Sequence, residues 1–95
     1  MKRKRNKPNR LNQQVNQARR AGASITKELY LYAYSVQGGR CAICGSYEED
    51  LNRVLTIDHD HLTGAFRGLL CDRCNMGLGL FRDRIDLFYM AASFL

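Results

Sequence analysis

The sequence predicts a small α+β domain with a structural four-cysteine zinc site and flanking helices. Three observations predict this class. Two Cys-x-x-Cys pairs stand on either side of residues 45–70, two strand-forming runs flank a short turn within that interval, and apolar residues recur at helical spacing around it. At 95 residues the chain has room for one small domain, whose core needs reinforcement.

Charge divides the chain into a basic N-terminal arm, residues 1–22, and a domain, residues 23–95. The net charge is +6, yet residues 21–95 carry seven basic and nine acidic side chains, a balance of −2. A basic arm, disordered over residues 1–10, indicates a polyanion partner such as DNA, and the alternative is a solubilising or localisation tail. The arm residues that we expect to contact DNA are Lys2, Arg3, Lys4 and Arg5.

The hydrophobic pattern of the sequence indicates where the protein is located. No apolar run approaches the roughly 20 residues of a membrane span, and the N-terminus MKRKRNKPNR has no signal-peptide core. We therefore expect a cytoplasmic protein without a membrane partner. In that reducing compartment four cysteines favour metal binding over disulfides.

Three segments are predicted to be helical before and after the cysteine pairs. The first, residues 11–22, is weakly patterned, and the second begins after Ser24 or Thr26 and ends at Gly38 and Gly39. Its tyrosines fit the edge of a core better than a base-stacking surface. The last helix, RIDLFYMAASFL, is predicted to close the core.

The segment between the cysteine pairs predicts a β-hairpin. SYEEDLN is polar and predicts a surface loop, whereas VLTIDHD and AFRGLL are rich in strand formers around a turn at Thr63–Gly64. CDRCNMGLGLFRD then predicts a short helix. The cysteine pairs that bracket the hairpin have the spacing of a closed, structural zinc site, with free thiols or disulfides as the alternative. The four predicted ligands are Cys41, Cys44, Cys71 and Cys74.

A second metal is indicated by the sequence DHDH and by the amide that follows the last cysteine. Asp58 supplies a hard oxygen ligand for Mg²⁺ or Mn²⁺, His59 can take a proton from water, and the Asn75 carbonyl oxygen is a neutral ligand. Structural alternatives stand beside these roles. Asp58 or Asp60 can cap the hairpin turn, a role that Asp60 fits better than that of a ligand. His61 fits a hydrogen-bond partner, and Asn75 can cap a helix.

The segment IDHDHLTGAFRGLLCDRCNMGLG, preceded by CAICG, resembles the recombination endonuclease VII family of phage and prophage nucleases. That family belongs to the wider HNH or ββα-metal (His-Me finger) nucleases. The resemblance covers residues 39–81 and implies a ββα-metal core with zinc on the four cysteines. It also implies a catalytic divalent ion on Asp58 and Asn75, His59 as general base, and His61 as a supporting histidine.

The resemblance therefore predicts a metal-dependent DNA endonuclease that leaves 5′-phosphate and 3′-hydroxyl ends. Arg67 is expected to contact the DNA backbone, with an ordinary surface arginine as the alternative. Longer family members carry a helical extension for dimerisation and branched-DNA recognition, whereas one apolar helix follows the motif here. Branch selectivity and a homodimer both stay open, and the host-cell cytoplasm is the expected location for a phage gene product.

Two other functions compete with the nuclease. One is a zinc-stabilised nucleic-acid-binding module without catalysis, and the other is a protein-interaction zinc module. The basic arm argues against the protein-interaction module, and the set of Asp58, His59 and Asn75 argues against pure binding. Metal-dependent cleavage separates the nuclease from both alternatives, and salt-dependent DNA binding separates the two alternatives from each other.

Overall fold

The predicted hairpin lies at the centre of the fold. In the computed structural model, which describes residues 8–95, strand β1 (Thr56–His59) pairs antiparallel with strand β2 (Phe66–Leu70). Within that range this is the only sheet, and it is accompanied by four α-helices. The small α+β class is therefore confirmed.

The hairpin contains a β-bulge at Arg67. Asp58 lies opposite Gly68 and His59 opposite Phe66, so Arg67 is an extra residue on β2 with no partner on β1. Such an extra residue bends its strand and redirects side chains. Gly68 has φ +151°, and a Cβ there would lie 3.2 Å from the Gln37 side-chain oxygen, so the bulge requires glycine at this position.

Helix α2 (Lys27–Gln37) has the predicted ends. The Thr26 hydroxyl accepts a hydrogen bond from the Leu29 N–H at 3.1 Å, and Gly38 ends the helix in the left-handed conformation, at φ +66°. Tyr30 on this helix is fully buried, with 1% of its surface exposed. The prediction that the tyrosines belong to the core is confirmed for this residue.

Helix α1 (Pro8–Arg20) begins three residues earlier than predicted, because proline is well suited to the first helical turn. Val15 of this helix lies in the core, and the Gln14 side chain donates a hydrogen bond to the Leu55 carbonyl at 2.6 Å. The second half of the arm thus packs on the domain. The predicted DNA contacts Lys2, Arg3, Lys4 and Arg5 lie outside the described residues.

The polar segment SYEEDLN contains a buried carboxylate, so the prediction of a simple surface loop is wrong. A short 3-10 turn, Glu48–Asp50, places Glu48 inside the protein with 1% of its surface exposed. Its carboxylate accepts hydrogen bonds from the Tyr34 hydroxyl and the Leu55 N–H, both at 2.9 Å. The N–H before β1 needs an acceptor, and Glu48 supplies it.

Helix α3 (Asp72–Leu80) follows β2 directly and packs on both strands. Helix α4 (Ile85–Phe94) does not close the core, contrary to prediction: none of its residues is buried, and Phe88 only meets Phe81 at a ring distance of 4.9 Å. The hairpin is already packed by α1, α2 and α3, which leaves no core surface for α4. No helix within residues 8–95 combines the length and apolarity needed to span a membrane.

Candidate metal and catalytic site

The four cysteines form one cluster. Their sulfur atoms all lie within 4.8 Å of one another, and the Cys44 and Cys71 sulfurs are 3.7 Å apart. Tetrahedral zinc with Zn–S bonds of about 2.3 Å places its sulfur ligands about 3.8 Å apart. The cluster therefore fits zinc, and four sulfur ligands leave no open position on the ion. The residues that could hold the ion are Cys41, Cys44, Cys71 and Cys74.

The polypeptide around the cluster is shaped for a bound cation. The Ile43 N–H points to the Cys41 sulfur and the Cys74 N–H to the Cys71 sulfur, each at 3.4 Å. Hydrogen bonding to Ser46 lowers the pKa of Cys44 to about 6, whereas burial raises the pKa of Cys74 to about 12. Metals bind the thiolate, so a bound cation would favour deprotonation of all four thiols.

Asp58 lies near the end of β1 and is buried, with 6% of its surface exposed. Arg67 grips it with two hydrogen bonds, from Nε to Oδ2 at 2.6 Å and from Nη2 to Oδ1 at 3.1 Å. The pair borders a cleft of roughly 240 Å³. The cleft is also lined by Leu78 from α3 and by Ala42 and Ile43, which lie between the first two cysteines, so the segment that carries the first cysteine pair forms part of its wall.

A chain of polar contacts continues from Arg67 to the histidines. Arg67 Nη2 lies 3.4 Å from the Asp83 carboxylate, and that same oxygen lies 3.2 Å from Nδ1 of His61. The His61 ring is in turn 5.0 Å from the His59 ring. Hydrogen bonding to Asp58 raises the pKa of Arg67, so the guanidinium stays charged between its two carboxylates.

Asp83 is a site residue that the sequence analysis missed. It adopts φ +56°, directly after Arg82 at φ +55°, and both lie in the left-handed region that non-glycine residues rarely occupy. Such conformations cost on the order of 1–3 kcal/mol each and concentrate at functional sites. The available signal was the end of α3, where the sequence places Arg-Asp instead of the usual glycine.

His59 and Asn75 are the remaining predicted site residues. His59 is half-buried beside Gly22, whose Cβ position would lie 4.0 Å from Nε2. Asn75 is half-buried on α3, one residue after Cys74, and its backbone N–H donates to the Cys71 carbonyl at 3.0 Å. Within residues 8–95 neither side chain makes a hydrogen bond, so neither is committed to a partner in that range.

Asp60 holds the hairpin turn. One of its carboxylate oxygens accepts hydrogen bonds from the N–H groups of Leu62 at 2.8 Å and Thr63 at 3.0 Å. Those two bonds lower the pKa of Asp60. The Gly64 N–H donates to the Asp60 carbonyl at 2.7 Å, which closes the turn. These contacts give Asp60 the capping role that the sequence favoured.

The donor chemistry around Asp58 fits a hard divalent cation. A carboxylate has about four lone-pair positions, and Arg67 takes one on each Asp58 oxygen, so positions remain for an ion. The Asn75 amide offers a second oxygen on the helix that packs against β1. Carboxylate and amide oxygens are the ligands that Mg²⁺ and Mn²⁺ prefer.

Comparison with known proteins gives a family match and two phage relatives. A family model described as recombination endonuclease VII matches residues 16–95. A protein named Gene 59 protein from Mycobacterium phage L5 is 47% identical over 72 residues, and so is the Gene 59 protein of Mycobacterium phage D29. Each alignment covers 75% of this chain and 43% of the relative, so the chain spans less than half of their length. No solved structure matches the chain.

Proposed function

Because the chain belongs to the recombination endonuclease VII family, we propose that it is a metal-dependent DNA endonuclease of the HNH type. One observation carries the proposal. Asp58 and His59 end β1 in a hairpin–helix unit, and Asp58 borders a cleft that is also lined by Ala42 and Ile43, the two residues between Cys41 and Cys44. The order β1, β2, α3 is that of a ββα-metal core, and the family match covers every residue of this unit.

The proposed chemistry divides between a metal and the protein's own groups. Asp58 and Asn75 would hold a Mg²⁺ or Mn²⁺ ion, which would supply stabilisation of the negative charge on the phosphate and on the leaving 3′ oxygen. His59 accepts the proton of the attacking water at a ring nitrogen. The products are a 5′-phosphate and a 3′-hydroxyl, and the zinc ion on the four cysteines has a structural role.

Arg67 and Asp83 have supporting roles in this proposal. Arg67 uses its Nε–H and both Nη2 hydrogens on Asp58 and Asp83, which leaves the two Nη1 hydrogens of its five for a DNA phosphate. Asp83 holds Arg67 and His61 at fixed positions, and His61 supports the ring of His59. Asp83 is therefore a positioning residue.

A second candidate function is the zinc-stabilised nucleic-acid-binding module without catalysis. The observation that favours it is the ion pair itself, because a guanidinium on both oxygens of Asp58 is also what a purely structural carboxylate would have. In that case Asp58 would brace the bulge at Arg67. Metal-dependent cleavage distinguishes the two functions.

The test is a cleavage assay with zinc-loaded protein on end-labelled linear duplex and four-way-junction DNA, with and without Mg²⁺. We expect Mg²⁺-dependent cutting that is lost in His59→Ala, while the zinc content and circular dichroism spectrum of the variant stay unchanged. Full cutting by His59→Ala would refute the assignment of the base. DNA binding without cutting in any metal would favour the binding module. The ratio of junction to linear cutting measures branch selectivity.

The proposal also includes a homodimer and a host-cell location. Helix α4 exposes most of the surface of Tyr89, Met90 and Phe94, which supports a second copy as the partner of this face. Sedimentation velocity should show a dimer that dissociates in Tyr89→Glu, and a monomeric wild-type protein would remove this part of the proposal. The phage relatives support a location in the reducing host cytoplasm, where the thiols stay available for zinc.

A further inference from the structure

Helix α1 runs alongside strand β1 and ends beside the proposed base. Midway along the helix, the Gln14 side chain donates a hydrogen bond to the Leu55 carbonyl at 2.6 Å. Just after its end, Gly22 lies next to His59, with 4.0 Å between its Cβ position and Nε2. These two contacts hold α1 beside the chain from Leu55 to His59.

A cleft opens between α1 and residues 52–57, and neither Asp58 nor His59 lines it. Its volume is about 590 Å³. Arg10 and Arg53 face it from opposite sides, and no acidic side chain is among the described residues that line it. Arg53 is 76% exposed and makes only a loose 4.0 Å contact with Asp72, so its guanidinium can turn to a ligand. The other polar side chains of the lining are Gln14, Gln17, Asn52 and Thr56.

The charge of this surface differs from that of the rest of the protein. Helix α1 carries Arg10, Arg19 and Arg20 and no acidic residue, whereas residues 21–95 have a balance of −2. The basic run at residues 2–7 directly precedes the helix in sequence. Arginine forks and amide groups are the side chains that most often contact DNA phosphates.

We propose that this cleft binds a phosphodiester group of the DNA other than the one that is cut, with Arg10 and Arg53 on its oxygens and the Gln17 and Asn52 amides donating to it. Arg19 and Arg20, at the end of α1 near His59, then contact phosphates closer to the reaction. The choice of DNA as ligand rests on the proposed function.

The test separates binding from cutting by using His59→Ala protein without divalent metal. Fluorescence anisotropy with a short fluorescein-labelled duplex would compare Arg10→Gln/Arg53→Gln with Arg73→Gln/Arg84→Gln, a control pair of exposed arginines that removes the same charge outside the cleft. Two lost phosphate contacts should lower the slope of log K against log salt by roughly 1.8. We expect the cleft pair to weaken binding about tenfold and the control pair far less. Equal effects from both pairs would overturn the proposal.

Cleavage by the same arginine variants, made in protein that keeps His59 and supplied with Mg²⁺, gives an independent readout. The cleft pair should raise KM and leave kcat unchanged, and Arg10→Lys/Arg53→Lys should recover part of the affinity, because charge is retained but the fork is lost. If the cleft variants bind weakly and no form cuts, the cleft stands and the nuclease assignment falls. If wild type cuts and the cleft pair cuts equally well at low DNA, the cleft falls alone. Absence of DNA binding by any form overturns both.

Discussion

Arg67→Ala tests whether the ion pair in the cleft holds Asp58 for a metal. The Asp58 side chain is only 7% exposed, and its two oxygens each receive one hydrogen bond from Arg67. Removing the guanidinium leaves a buried carboxylate without its charged partner. The folded state then contains a desolvated, unpaired charge, which lowers its stability unless another cation replaces the arginine.

The size of the effect follows from the burial of the two partners. Hydrogen bonds to charged groups contribute about 1.5–3 kcal/mol, and breaking a fully buried pair costs about 3–5 kcal/mol. Arg67 is 34% exposed, so water reaches the vacated position and screens the freed charge. We therefore expect the free energy of unfolding to fall by about 2 kcal/mol. For a domain of this size that lowers Tm by roughly 8–16 °C.

The measurement is thermal and urea unfolding of zinc-loaded protein, followed by circular dichroism, with and without Mg²⁺. Arg84→Ala is the matched control, because Arg84 and its partner Asp86 are 56% and 62% exposed, so water screens their ion pair and its loss should leave the stability almost unchanged. Mg²⁺ should raise the stability of Arg67→Ala more than that of wild type, because it can replace the missing cation beside Asp58. An ion present at 100 times its Kd adds about 2.7 kcal/mol to the free energy of unfolding. The reasoning fails if Arg67→Ala unfolds like Arg84→Ala, or if Mg²⁺ stabilises both proteins equally.

Three further predictions concern zinc, the buried glutamate and the strained turn. Chelation of zinc should unfold the domain, because structural zinc contributes about 10–16 kcal/mol, which is as much as the typical total stability of about 5–15 kcal/mol. A native circular dichroism spectrum in zinc-free protein would contradict this. Glu48→Ala should lower the unfolding free energy by about 3 kcal/mol, because it leaves the buried Leu55 N–H without an acceptor. If the loss is no larger than that caused by Asp50→Ala, at an exposed position, the Glu48 carboxylate does not stabilise the fold. Asp83→Gly and Arg82→Gly both relieve a left-handed backbone, so both should fold at least as well as wild type. Only Asp83→Gly should lose cleavage activity, and equal activity of the two would remove the positioning role.

The elements that the sequence predicted correctly are those whose determinants are local. Thr26 and Gly38 set the ends of α2 within one turn of the chain, and the Thr63–Gly64 turn sets the hairpin. The spacing of the cysteine pairs alone predicts the cysteine cluster. Each of these features depends on residues a few positions apart, which is the range over which sequence patterns carry physical information.

The features that escaped prediction depend on distant parts of the chain. Glu48 is buried because Tyr34 and Leu55 meet its carboxylate, and a polar run gives no sign of either contact. The periodicity of α4 indicated an apolar face, but not that α1, α2 and α3 already pack on the hairpin. Asp83 enters the site only because the bulge at Arg67 and the turn after α3 bring their side chains together.

The cysteine cluster and the proposed catalytic cleft are built on the same elements, β2 and α3. The Ala42 N–H bonds the Leu69 carbonyl at 3.0 Å, which fixes the first cysteine pair to β2, and Ile43 then forms part of the wall around Asp58. The second cysteine pair begins α3, so Cys74 sets the turn of helix that carries Asn75. In a domain without a large core, zinc on the four cysteines would therefore fix the two elements that carry Asp58 and Asn75 relative to each other. A closed ion without catalytic chemistry of its own can still decide whether the proposed active site exists.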